Sequence, residues 1–152
     1  MAAAKKASEI TLALLKPDLL ANPVFVESIL SEIRNNRHGI AIHRRKRVFW
    51  TQDQARAFYA EHKGRFFYDR LVWYMTSGPF EAMALRGPGA IAWWRKEMGA
   101  TRPVQMRIAN PSCLRARYGL TDTRNSFHGS DSTESAQREL SFVFGPSYQC
   151  VS

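Results

Sequence analysis

Cysteine is scarce in this chain. Cys113 and Cys150 are the two among 152 residues, too few for a disulfide framework, and both read as free thiols in a reducing compartment. No apolar run approaches the ~20 residues needed to span a bilayer, so membrane insertion is not expected. The start, Met1-Ala-Ala-Ala-Lys-Lys-Ala-Ser8, lacks an apolar stretch and arginine, so neither a secretory signal nor a transit peptide is visible. Acidic side chains are also few: 13 Asp and Glu against 22 Lys and Arg, a net charge of +9. That balance favours polyanions, whether nucleic acid, acidic membranes or small phosphorylated molecules, without choosing among them. The histidines and cysteines show no zinc spacing, and no Walker-type lysine loop is present; Gly87-Pro88-Gly89 reads as a turn. Internal repeats and low-complexity blocks are absent.

What the chain does have is apolar mass, 45% hydrophobic and 12% aromatic, enough for one core without staples. A single domain over 1–152 is expected, structured over about 9–145 between tails at 1–8 and 146–152. Residues 10–15 read as a buried strand. Asn22-Pro23 then looks like an N-cap and first helical residue, with Phe25, Ile29 and Ile33 on one apolar face and a stop at Gly39. Residues 40–50 form a second strand, and Thr51 with Gln54 matches a capping box opening a helix to about residue 61. A helix over 67–76, a strand over 80–85 and a helix over Ala90–Met98 follow. Residues 100–112, with prolines at 103 and 111, read as a long loop. Residues 124–127 are the last strand, and Asp131 with Glu134 forms a capping box opening a final helix to about Val143. Interleaved strands and helices predict an α/β or α+β sandwich, with helices covering a small sheet.

The chemistry concentrates after residue 124. His128 ends an apolar strand, and Gly129 removes bulk beside it so that a ligand could approach. The hydroxylic residues that follow, and the helix start, supply donors suited to anions. Glu139 could turn back to hold one imidazole nitrogen and free the other as a nucleophile. Spacing alone leaves two readings: a nucleophile, or a strand-end histidine satisfied beside a capped helix. Lys16, at a strand's exit before Pro17, could reach a phosphate or ribose hydroxyl, or be a surface lysine in a turn. Among Tyr59, Gly64-Arg-Phe-Phe-Tyr68 and the segment at 74–79, an exposed ring beside a basic residue could stack on a base, though most such rings are core. Arg95 and Arg115, near loop edges, could clasp phosphate oxygens or simply be solvated. The run His43-Arg-Arg-Lys-Arg47 would be divided between two faces by strand alternation, so specific nucleic-acid binding is not expected. No role is assigned to His38, His43 or His62.

In order, Leu15-Lys16-Pro17-Asp18, Tyr74-Met75-x-Ser77-Gly78-Pro79, Asn125-x-x-His128-Gly-Ser-Asp-Ser132 and Glu134-Ser-Ala-x-x-Glu139 resemble the nucleoside diphosphate kinase family, over about residues 11–144. The resemblance implies an α+β fold with a ferredoxin-like βαββαβ core: an antiparallel four-stranded sheet, helices on one face and extra helical elements around it. It implies an enzyme that moves the terminal phosphoryl of ATP or another nucleoside triphosphate to a nucleoside diphosphate, ping-pong, through a phosphorylated His128. Glu139 would orient that ring, with Ser130 next to it. Lys16 and Asn125 would contact the sugar hydroxyls, Phe67 would carry the base with Leu71 beside it, and Tyr59, Arg95, Thr101 and Arg115 would surround the phosphates. Mg²⁺ would be held mainly by the nucleotide, without a protein metal cage. The segment 101–115 is longer than in hexameric members, and Arg115-Ala116-Arg117 stands where they often carry Arg-Gly-Asp, so an oligomer is implied without implying the hexamer. Likeness to a divergent, mitochondria-associated branch implies an intracellular, mitochondrial location, with the cytoplasm as alternative. It also leaves open a weakly active or inactive scaffold working through a protein partner.

Overall fold

Strand β1 (Ser8–Leu15) runs through the middle of the sheet, with Leu12 and Leu14 facing one side and Ala13 and Leu15 the other, all fully buried. A strand covered on both faces needs apolar residues at every position, which is why residues 10–15 read as a continuous run. In this computed structural model, which describes residues 4–146 and 148, the order is β1, α1 (Pro17–Leu20), α2 (Pro23–Arg34), β2 (Ala41–Val48), α3 (Gln52–Phe58), a 3₁₀ turn (Ala60–His62), α4 (Tyr68–Met75), β3 (Phe80–Pro88), α5 (Ala90–Met98), α6 (Pro103–Ala109), α7 (Leu114–Tyr118), β4 (Phe127–Gly129) and α8 (Thr133–Phe144). The sheet order is β2-β3-β1-β4, antiparallel throughout. This is the expected ferredoxin-like α+β arrangement.

Helices cover both faces of the sheet, not one. Leu12, Leu14 and Phe80 pack with Phe58, Leu71, Met75 and Leu140 from α3, α4 and α8. On the other side Leu15, Met83 and Leu85 pack with Ile29, Ile33, Trp94 and Leu114 from α2, α5 and α7. Each fully buried Leu, Ile, Phe or Met contributes about 1.5–3 kcal/mol relative to exposure, so the helices added to the core motif, α3, α4 and α8, are what dry the face that carries Leu12 and Leu14. Among the described residues, no helix is long and apolar enough to cross a membrane.

Several boundaries differ from the sequence expectation. The predicted loop at 100–112 contains α6, and α7 follows; Pro103 occupies the first turn of α6, where its missing N–H leaves no bond unmade. β4 begins at Phe127, not at residue 124, because Ser126 adopts a left-handed φ of 71° that turns the chain into the sheet. The cap of α8 is Ser132, whose Oγ accepts from Ser135 N at 3.1 Å, and not Asp131. Helix α2 ends at Arg34, well before Gly39; Asn36 builds that turn by donating to the carbonyls of Ile33 and Ile40. The capping box at Thr51 and Gln54 is formed in both directions. The expected tails are partly structured: Ser8 opens β1, Gly89 N donates to Ala7 O, and Tyr148 is buried with its hydroxyl 3.1 Å from His43 Nδ1. Cys113 is a buried free thiol, while Cys150 lies outside the described residues.

The basic run sits on β2, an edge of the sheet, with a bulge between Ile42 and Arg44. Beyond the bulge it divides as alternation requires. Arg44 lies over the Phe144 ring and Lys46 donates to Val143 O, while Arg45 pairs with Glu81 on the other side.

Candidate active site

A cleft of about 1410 Å³ opens between α4, the start of α6 and the segment preceding β4, with His128 and Lys16 in its wall. Strand pairing brings these together: His128 lies opposite Leu14, and Lys16 N donates to Ser126 O at 2.9 Å. Of the expected site residues, Lys16, Tyr59, Phe67, Leu71, Thr101, Arg115, Asn125 and His128 all line this cleft.

His128 keeps 19% of its side chain exposed. Its Nε2 lies 3.1 Å from both Glu139 Oε1 and Oε2. A carboxylate only accepts, so the ring proton sits on Nε2, and Nδ1 carries the free lone pair. Ser130 stands behind this pair, its Oγ donating to Glu139 Oε1 at 2.8 Å and accepting from Leu12 N at 3.1 Å. Burial pushes the Glu139 carboxyl up, but the hydrogen bonds from His128 and Ser130 outweigh it and hold the group below its ordinary value. The acid is therefore ionised where it holds the ring.

Trp94 fixes the backbone at this point, its Nε1 donating to His128 O at 2.9 Å. A Cβ on Gly129 would stand 2.6 Å from both Trp94 Cδ1 and Met98 Cε. Gly129 thus makes room for the buried indole rather than for a ligand, which corrects the sequence expectation.

Opposite the histidine, Lys16 Nζ donates to Asn125 Oδ1 at 3.1 Å, and Asn125 Nδ2 donates to Asp122 O. Burial, with Arg115 nearby, pulls the Lys16 ammonium down to about 7. Arg115 is braced by the carbonyls of Gly99, at 2.7 Å, and Phe127, at 2.9 Å. Burial and the charge of Arg95 lower its guanidinium to about 10. Burial and the Glu139 charge push the Tyr59 phenol above its ordinary range, so it stays protonated. Asp18 accepts from the hydroxyls of Tyr74 and Ser126, tying the turn after β1 to the entry of β4. Arg117, in the departure from Arg-Gly-Asp, forms a two-pronged pair with Glu32 at 2.7 Å on each prong and anchors α7 to α2.

Arg95 is not in the cleft wall. On α5 it follows the buried Trp94, so a helix's 100° step turns it to solvent. Its charge is still felt by Arg115 and Asp131. Phe66, within the 64–68 stretch singled out for stacking, also lines the cleft; sequence reasoning missed His62, which lines it and stacks on Tyr59 with centroids 6.2 Å apart, and also Arg70, Trp73, Arg102 and Arg124. The i, i+3 spacing of Tyr59 and His62 was an available signal; exposure of the others was not visible.

Comparison with known proteins agrees with this construction. The family model described as NDK, nucleoside diphosphate kinase, matches residues 9–148. The chain belongs to the nucleoside diphosphate kinase family, which supports a phosphotransferase that binds nucleoside di- and triphosphates. It is 48% identical to nucleoside diphosphate kinase 6 of Danio rerio over 139 residues, covering 91% of this chain and 78% of that one. The same comparison with nucleoside diphosphate kinase 6 of Homo sapiens gives 45%, covering 91% and 74%. A nucleoside diphosphate kinase of Actinobacillus pleuropneumoniae is 42% identical, covering 90% and 94%. Among solved structures, the nucleoside diphosphate kinase of Aquifex aeolicus superposes with a TM-score of 0.85 at 36% identity, covering 91% of this chain and 96% of that one.

Proposed function

We propose that this protein is an active nucleoside diphosphate kinase that carries the phosphoryl group on His128 Nδ1. The observation that carries the reading is the grip of Glu139 on Nε2 at 3.1 Å, which orients the ring and reserves the other nitrogen for attack. In the first half-reaction the Nδ1 lone pair forms a bond to the terminal phosphorus as the bond to the departing nucleoside diphosphate breaks. The ring gains positive charge, which the Glu139 carboxylate stabilises. A second nucleoside diphosphate takes the group by the reverse steps, giving a ping-pong cycle with a covalent intermediate.

The remaining residues position the substrate. Arg115 and the Tyr59 hydroxyl face the phosphates, Thr101 stands beside them, and Lys16 with Asn125 meets the sugar hydroxyls. Phe67 offers a ring face with Leu71 beside it; a ring face stacks on any base, so broad base tolerance follows. Arg95 adds positive charge without reaching the wall. Mg²⁺ would enter on the phosphate oxygens of the nucleotide rather than on side chains of this cleft. It would supply positive charge to the transferring group.

The test is nucleotide exchange from ATP to a deoxynucleoside diphosphate with Mg²⁺, run beside recovery of an acid-labile, heat-stable phosphate on the protein. Rapid exchange with label on His128 is expected. Nucleotide binding with neither exchange nor label would sink the reading and leave a nucleotide-binding scaffold acting through a protein partner.

A further inference from the structure

Strand β4 pairs with β1 over Phe127, His128 and Gly129, so the proposed nucleophile is the middle residue of a very short strand at the sheet's edge. The His128 ring meets Glu139 of α8 and the rings of Phe58 and Tyr59 on the face that carries Leu14. From the opposite face comes Trp94 of α5, fully buried among Leu15, Phe127 and Met98, whose Nε1 donates to His128 O at 2.9 Å. Gly129 leaves the space in which the indole lies, for a Cβ there would stand 2.6 Å from Cδ1 and 3.0 Å from Nε1. Helix α5 also braces the phosphate side. Gly99 O, at its end, accepts from Arg115 at 2.7 Å, and Arg115 in turn donates to Phe127 O at 2.9 Å. One helix thus holds both the main chain of the histidine and the guanidinium beside it. The neighbouring Trp93 makes no such bond: its Nε1 is buried with no partner among the described residues.

We propose that, on the kinase reading, Trp94 is a positioning residue for His128, its indole N–H setting how far the nucleophile stands from Arg115. A three-residue strand has few ladder bonds to hold it. Glu139 fixes which way the ring faces but not where its main chain lies. The indole supplies that second constraint, from the other side of the sheet, on the carbonyl of the same residue. Reacting atoms must approach within about 3–3.5 Å, and a misplacement of about 1 Å can cost ~10²-fold in rate. Trp94 is not in the cleft wall, so it touches neither nucleotide nor reacting atoms. Its loss therefore slows the chemical step and leaves nucleotide binding intact.

The experiment compares Trp94→Phe with Trp93→Phe in the whole protein. Each removes one indole N–H from α5, and only the first of these is bonded. Two readouts are taken: exchange from ATP to a deoxynucleoside diphosphate, and nitrogen NMR of histidine-labelled protein without nucleotide. Trp94→Phe should lower kcat about 10–100-fold while KM changes by no more than about twofold. Its His128 Nε2–H signal should broaden as the ring's contact with Glu139 loosens. Trp93→Phe should match the parent in both. If Trp94→Phe does not fold, Gly129→Ala gives the second reading: it pushes on the same indole from the strand and should produce the same fall in kcat with KM kept. A parent without exchange would defeat the kinase reading, and the NMR comparison would still decide whether the indole holds the ring. An unchanged kcat, a raised KM in its place, an equal loss in Trp93→Phe, or unaltered ring signals in Trp94→Phe would each overturn the proposal.

Discussion

Behind His128 the chain completes its own polar contacts, and in the cleft wall beside the ring it does not. Glu139 accepts from the histidine and from Ser130, and Ser130 in turn accepts from Leu12 N. In the cleft wall beside the ring, the Tyr59 hydroxyl and Arg115 Nε are buried with no partner among the described residues. A buried polar group left unpaired costs about 1–3 kcal/mol, and an anionic ligand is the missing partner that would recover it. The difference separates two tasks. On the kinase reading proposed above, the nucleophile's geometry is set before any ligand arrives, while the phosphate side is held in an unfavourable state that binding would relieve.

Four experiments would break or sharpen that contrast. The largest effect is expected from His128→Ala, which should lower nucleotide exchange by more than about 10⁴-fold and abolish the acid-labile label; label retained on this variant would move the nucleophile elsewhere. Glu139→Gln should reduce kcat by about 10²–10⁴-fold with little change in KM, because it disturbs the ring's tautomer and removes the charge that stabilises the imidazolium. If KM rose instead, Glu139 would belong with the ligand-completed side. Arg115→Lys keeps the charge but loses the fork braced by Gly99 and Phe127, and kcat/KM should fall by about 10²-fold. An unchanged kcat/KM would show that the buried guanidinium is structural.

The smallest effect concerns pH. The Lys16 value is lowered, to about 7, so the free protein keeps this charge below that pH and loses it above. Nucleotide affinity, measured calorimetrically, should weaken about tenfold as pH rises through and beyond 7, the scale of one charged hydrogen bond. The negative charge of a nucleotide in the cleft favours the ammonium and will displace the midpoint upward. In Lys16→Met that part of the pH dependence should vanish; its persistence would assign the effect to another group.

The same contrast describes what could be read from the amino acids. The histidine side was legible because its determinants are local: His128, Ser130 and Glu139 lie within one strand, turn and helix. The buried strand over 10–15 and helix α5 were legible because their apolar spacing is unambiguous. On the phosphate side Tyr59, Thr101 and Arg115 were named through resemblance and do line the cleft, but the structure that holds them was not legible. Helix α6 begins on a proline and depends on Arg107 reaching the carbonyls of Ala116 and Gly119, which no window of neighbouring residues reveals. The role of Gly129 was misread because its constraint comes from Trp94, a residue of another element. Arg95 matched a motif, but which way a helix turns its side chains depends on what packs beneath it. Trp73 looks like a core residue, and only the folded surface shows that it is not.

The contacts that assemble the cleft join the two ends of the chain, with Lys16 to Asn125 spanning 109 positions and Leu12 to Ser130 spanning 118. Closures that distant come late in the collapse of a polypeptide, after the entropy of the intervening segment has been given up. A partly synthesised or half-folded chain therefore has no pocket to offer, and ligand capture becomes a certificate of a finished molecule. Because a ligand held only by that finished form stabilises it by mass action, the abundance of nucleotide would help to decide how much of the protein survives quality control.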